Sequence, residues 1–110
     1  MATMRIVRRD IDEIKREICA RIDQLERDFR LLSIGELARR ADAIRQLAYA
    51  NDLMPVARLA GGLGEALSRG GRGATIRPFI DGMRDAVCAE RQDDESAASY
   101  LAAVGVRLAG

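Results

Sequence analysis

Histidine is absent from all 110 residues of this chain. Its absence excludes the Ser–His and Cys–His pairs of nucleophilic catalysis. The two cysteines, Cys19 and Cys88, cannot by themselves supply a usual zinc ligand set, so no metal is expected. Their spacing is not that of a disulfide scaffold, and two reduced, partly buried thiols are the expectation. Tryptophan is absent as well, and only two Phe and two Tyr are present. Arg8-Arg9 and Arg39-Arg40 therefore have none of the interleaved aromatic residues on which single-stranded bases stack. Charge of one sign is also lacking. Eighteen Lys and Arg against seventeen Asp and Glu leave +1, which gives no drive toward nucleic acid or anionic lipid. No stretch approaches the ~20 apolar residues that span a bilayer, and residues 1–9 hold no signal-peptide apolar run. A cytoplasmic protein with neither membrane nor nucleic-acid partner is expected.

What is present is aliphatic and helical. Hydrophobic residues make up 48% of a length that suits one domain, residues 1–110, with a single alanine-rich core. Val7, Ile11, Ile14, Ile18, Ile22, Leu25, Phe29 and Leu32 recur every three or four residues. They predict a long amphipathic helix of about 25 residues, about 37 Å at the standard rise per residue. Its narrow stripe reads either as a bundle face or as a coiled-coil seam for a homodimer.

Ser33-Ile34-Gly35-Glu36 spells a capping box, with Leu32 and Leu37 at the staple positions, so the chain reverses there. A second helix, 34–50, has Leu37, Ala41, Ile44 and Ala48 inward, and Ala38, Asp42, Arg45, Gln46 and Tyr49 toward solvent. Asn51-Asp52 breaks it, with Asp52 the predicted cap of a third helix, 53–69, that tolerates Pro55 in its first turn. Gly61, Gly62 and Gly64 inside that helix each cost roughly 1 kcal/mol relative to Ala, and close packing of a neighbouring helix is the expected compensation. Gly70-Gly71-Arg72-Gly73 is a stop and a loop. Neither glycine group follows a strand, so neither reads as a phosphate cradle. Thr75 is the predicted cap of a fourth helix, with Pro78 in its first turn. Asp93 or Asp94 caps a fifth, with Ala97, Tyr100, Leu101, Val104 and Leu108 on one face. No segment alternates as a strand does. The fold class is all-α, an antiparallel up-down four-helix bundle with one additional terminal helix.

The stretch Leu37-Ala38-Arg39-Arg40-Ala41-Asp42-Ala43-Ile44-Arg45-Gln46-Leu47-Ala48-Tyr49-Ala50-Asn51-Asp52-Leu53, continued by Val56, Leu59, Leu63 and Leu67, resembles the core of histidine phosphotransfer (HPt) domains over about residues 30–90. In that family the reactive histidine is followed three residues on by Lys or Arg and four on by Gly, then by a turn and a second apolar helix. Arg45 and Leu53 fit the pattern. Asp42 stands at the phosphohistidine-equivalent position, Gln46 replaces the glycine, and Asp52 replaces a glycine common at the turn. The resemblance implies a four-helix bundle with an extra helix and a role in two-component signalling. Without an imidazole nucleophile it implies no phosphoryl transfer, no catalytic residue and no cofactor. The implied role is binding of a response-regulator receiver domain or a histidine kinase through Ala38, Asp42, Arg45, Gln46, Tyr49 and Arg58. Asp42 also reads as a plain solvated acid paired with Arg45 or Arg39. The alternative function is a structural bundle that dimerises through the N-terminal helix. A helix-turn-helix over 34–69 lacks the expected turn glycine and a basic surface.

Overall fold

The computed structural model describes residues 10–109. Five helices follow in order: α1 Ile11–Asp28, α2 Ile34–Ala50, α3 Met54–Ser68, α4 Gly73–Val87 and α5 Asp94–Ala109. No strand occurs among the described residues. None of these helices is long and apolar enough to cross a membrane.

α1 is shorter than its apolar period suggests. Asp10 adopts an extended backbone and its carboxylate accepts from the Asp12 N–H at 3.3 Å, so residue 10 caps the helix instead of continuing it. Val7, the predicted start, lies outside the described residues. At the other end residues 29–31 form a turn that leaves Leu31 exposed, because Ser33 must be extended to cap α2. The Ser33 hydroxyl accepts from the Glu36 N–H at 3.1 Å. The reciprocal half of the capping box is replaced: the Glu36 carboxylate takes Arg39 at 2.5 Å and Arg40 at 3.6 Å. Two guanidiniums one turn along compete better than a single backbone amide.

The turn after α2 corrects another expectation. Asp52 does not cap α3, whose N-cap is Leu53 without a side-chain bond. Asp52 instead sits at φ 59°, just past the end of α2. Its N–H reaches Tyr49 O at 3.2 Å and the Leu53 N–H reaches Ala48 O at 2.9 Å, the paired bonds of a Schellman ending. The uncapped start of α3 is served from elsewhere, by Met54 N–H donating to Gln92 O at 3.3 Å. α3 ends on a second Schellman turn at Gly70, φ 92°, with Gly70 N–H to Leu67 O at 3.1 Å and Gly71 N–H to Ala66 O at 2.9 Å.

α4 begins at Gly73, two residues before the predicted cap, so Thr75 lies inside its first turn. Pro78 then falls in the second turn, within the helix, where its missing N–H leaves one helical bond unmade. Asp93 caps α5 as expected, accepting from the Ser96 N–H at 2.9 Å.

α1 touches α2 and α4, α2 touches α3, and α3 touches α4, closing a ring of four. α5 packs outside this ring, against α3 and α4. The bundle core is filled by Ile14, Ile18, Ile22, Leu25, Leu37, Ala41, Ile44, Val56, Leu59, Leu63, Ile80 and Met83. The apolar seam of α1 is thus closed within the chain; Ile11 alone of its described members is 43% exposed. α3 meets three helices, and Gly62 explains how. A Cβ there would stand 2.9 Å from Phe79 Cε1 on α4 and 3.5 Å from Leu101 Cδ2 on α5. Gly82 on α4 similarly admits Val104, which a Cβ would meet at 3.1 Å. The expected close approach therefore holds at Gly62 but not at Gly64, which has nothing within 4 Å of a Cβ. Ala97 and Val104 seat α5, whereas Leu108, predicted on the same face, is exposed.

Candidate docking face on α2 and α3

Asp42 projects from the middle of α2 and is exposed. Both of its carboxylate oxygens are engaged by its own helix: Arg45 Nε donates to Oδ1 at 2.8 Å and Gln46 Nε2 donates to Oδ2 at 2.6 Å. These are the i+3 and i+4 partners that a helical surface brings together. The negative charge is therefore balanced locally rather than held out to solvent alone. One turn farther on, Tyr49 is 61% exposed, an unusual position for a large aromatic ring.

Ala38 departs from the predicted face. It is half-buried and packs against the core, because it lies three residues before buried Ala41, on the margin of the inward stripe. Arg45 is half-buried as well. Its aliphatic stem passes over α3, where a Cβ on Gly61 would come within 3.6 Å of Arg45 Cδ. Arg58 is exposed on α3 and donates to Asp94 Oδ1 at the start of α5, at 3.0 Å. The structure thus brings Asp42, Arg45, Gln46 and Tyr49 onto one face of α2, with Arg58 across a shallow groove from Arg45 and Tyr49.

That groove, about 550 Å³, is bounded by Arg45 and Tyr49 of α2, by Met54, Arg58 and Glu65 of α3, and by Leu101 of α5. Sequence reasoning did not find Met54, Glu65 or Leu101. They join the face only through the packing of three helices, and nothing local to any one helix signals it. Gly61 and Gly62 were the available clue, since side chains there would fill the groove.

Chemically the face offers hydrogen-bond donors, two carboxylates each balanced by an arginine one turn along, Asp42 by Arg45 and Glu65 by Arg69, and an apolar floor. Among the described residues no group of three or more acids or cysteines could hold a metal ion. Both cysteines are free thiols. Cys19 is half-buried, as expected, but Cys88 is exposed, because it ends α4 one residue beyond inward-facing Val87. No protein-family model, curated protein or solved structure matches the chain.

Proposed function

We propose that this chain is a non-catalytic, HPt-like docking protein that binds a receiver domain or a histidine kinase in two-component signalling without carrying a phosphoryl group. The observation behind this reading is the exposed position of Asp42 at the centre of α2, on a four-helix bundle, one turn from Arg45. A phosphohistidine relay needs an imidazole nitrogen as nucleophile, and the sequence has none. Carboxylates accept phosphoryl groups with the help of a bound metal and neighbouring acids, and Asp42 has a guanidinium and an amide instead. What remains of a relay surface is its ability to dock.

Tyr49, Arg45 and Arg58 are the residue types that dominate binding energy in protein interfaces, and the groove between them accepts a protruding side chain. Docking without transfer acts by competition with a working phosphotransferase or by scaffolding. A dimer through α1 has less support, because Ile14 and Ile18 lie inside the bundle.

Calorimetric titration of the purified chain against candidate receiver domains tests the face. Arg45→Glu and Tyr49→Ala should each weaken binding by about 10-fold or more while the helical circular dichroism is unchanged. Unaltered affinity in both variants rules out this face. Transfer of radiolabel onto the wild-type chain from a phosphorylated receiver overturns the non-catalytic reading.

A further inference from the structure

Cys19 lies on α1, half-buried and packed against the core, and Cys88 is the exposed C-cap residue of α4. Both line one surface depression, with Asp12, Lys15, Asp23 and Val87 around them. The register of the two helices independently brings them level. Arg84 Nη2 donates to Asp23 Oδ1 at 2.6 Å across the α1–α4 seam. Glu26, farther along α1, pairs with Arg77, farther back along α4, at 2.6 Å, so the two helices run antiparallel. One turn back from Asp23 along α1 is Cys19. One turn forward from Arg84 along α4 is Cys88. The Cys19 thiol is held above its ordinary value, first by burial, then by the nearness of Cys88 and of Asp23, with Arg84 opposing.

We propose that Cys19 and Cys88 are a redox pair that closes under a peroxide oxidant into an intrachain disulfide, fastening α1 to the end of α4. The exposed Cys88 sulfur attacks a peroxide oxygen. It loses two electrons and becomes a sulfenic acid as the O–O bond breaks, and hydroxide leaves to be protonated to water. The Cys19 sulfur then gives up its proton and attacks that sulfur, an S–S bond forms, the S–O bond breaks, and the departing hydroxide takes up the Cys19 proton as a second water. The net change is two thiols and one hydrogen peroxide giving one disulfide and two waters. The cross-link closes a loop that contains the whole of α2, α3 and α4, so it restricts the unfolded chain strongly.

The test uses the whole chain, reduced, freed of reductant and treated while folded with a small excess of hydrogen peroxide. Both free thiols should disappear, the mass should fall by about 2 Da for the two hydrogens lost, and peptide mapping should recover Cys19 linked to Cys88 in a monomer. The melting midpoint should rise by about 10 °C and return on adding dithiothreitol. Cys19→Ser and Cys88→Ser should each abolish the rise. A double variant, Cys19→Ser with Arg21→Cys, keeps two thiols but moves one about 200° around α1, to the side that faces Arg39 and Arg40 of α2, and should not cross-link. Persistence of both thiols, a cross-link between two chains, sulfinic acid on Cys88 with Cys19 untouched, or equal cross-linking by the double variant would each overturn the proposal.

Discussion

Asp52 holds φ at 59°, a left-handed conformation that costs an ordinary L-residue roughly 1 kcal/mol and glycine almost nothing. The two Schellman bonds around it fix the backbone there, so the strain cannot relax without losing the α2–α3 turn. Asp52→Gly should therefore raise the melting midpoint, by about 4 °C for a net gain of about 0.5–1 kcal/mol. Asp52→Ala should lower it, since alanine tolerates this region less well than aspartate. Thermal melts of the two variants, opposite in sign, check the assignment. At this scale the sequence was legible where partners are neighbours on one helix. Asp42, Arg45 and Gln46 were readable together because a spacing of three and four places them in contact. Asp52 was misread because an aspartate before a helix is usually a cap, and only the backbone angle reveals that it closes the helix behind it.

α3 is the helix on which α2, α4 and α5 are assembled, and its glycines divide by what lies over them. Gly62 faces buried Phe79, and a methyl there would press on the ring at 2.9 Å. Gly64 faces open space, so a methyl meets nothing and the helix gains propensity. Gly62→Ala should destabilise by about 1–3 kcal/mol through overpacking, whereas Gly64→Ala should stabilise by up to about 1 kcal/mol. Urea unfolding midpoints of the two variants should move in opposite directions. A common direction would mean that the glycines act through backbone freedom and not through packing. The number and order of helices were readable from the apolar period and from Ser33, Gly70 and Asp93. The ends were less so. Phe29 and Leu32 continue the period of α1 through a turn that Ser33 requires. Gly73 and Ala74 lengthen α4 without any capping signal, and this pushes Pro78 into the second turn. That α5 would lie along α3, and so complete the groove beside Arg58, is written in no single segment. It depends on Gly62 and Gly82 admitting Leu101 and Val104.

Across the whole molecule, acids and arginines are nearly matched in number, and the helices are laced by their pairs. Arg77 and Arg84 bind Glu26, Arg84 also binds Asp23, Arg40 binds Asp28, Arg58 binds Asp94, and Arg107 binds Asp81. Hydrogen bonds first from Arg84 and then from Arg77 hold the Glu26 carboxyl below its ordinary value of 4.5. Gln24 and Arg40 do the same for Asp28, and Arg91 and the Ser96 N–H for Asp93. A carboxyl that is more acidic in the folded chain than in the unfolded one stabilises the fold above its unfolded value, and that stability is lost as pH falls through the lower folded value. Each exposed pair contributes little, so the effect is a slope rather than a cliff. No imidazole titrates between these acids and the thiols. The melting midpoint should accordingly be flat between about pH 5.5 and 8 and should decline below about pH 4.5. Glu26→Gln should lower the neutral plateau slightly and make the acid decline shallower, because Glu26 joins two of the arginines that bind α4 to α1. A decline beginning near pH 6.5, or a Glu26→Gln profile parallel to that of the wild type, would show that these ion pairs do not couple folding to pH.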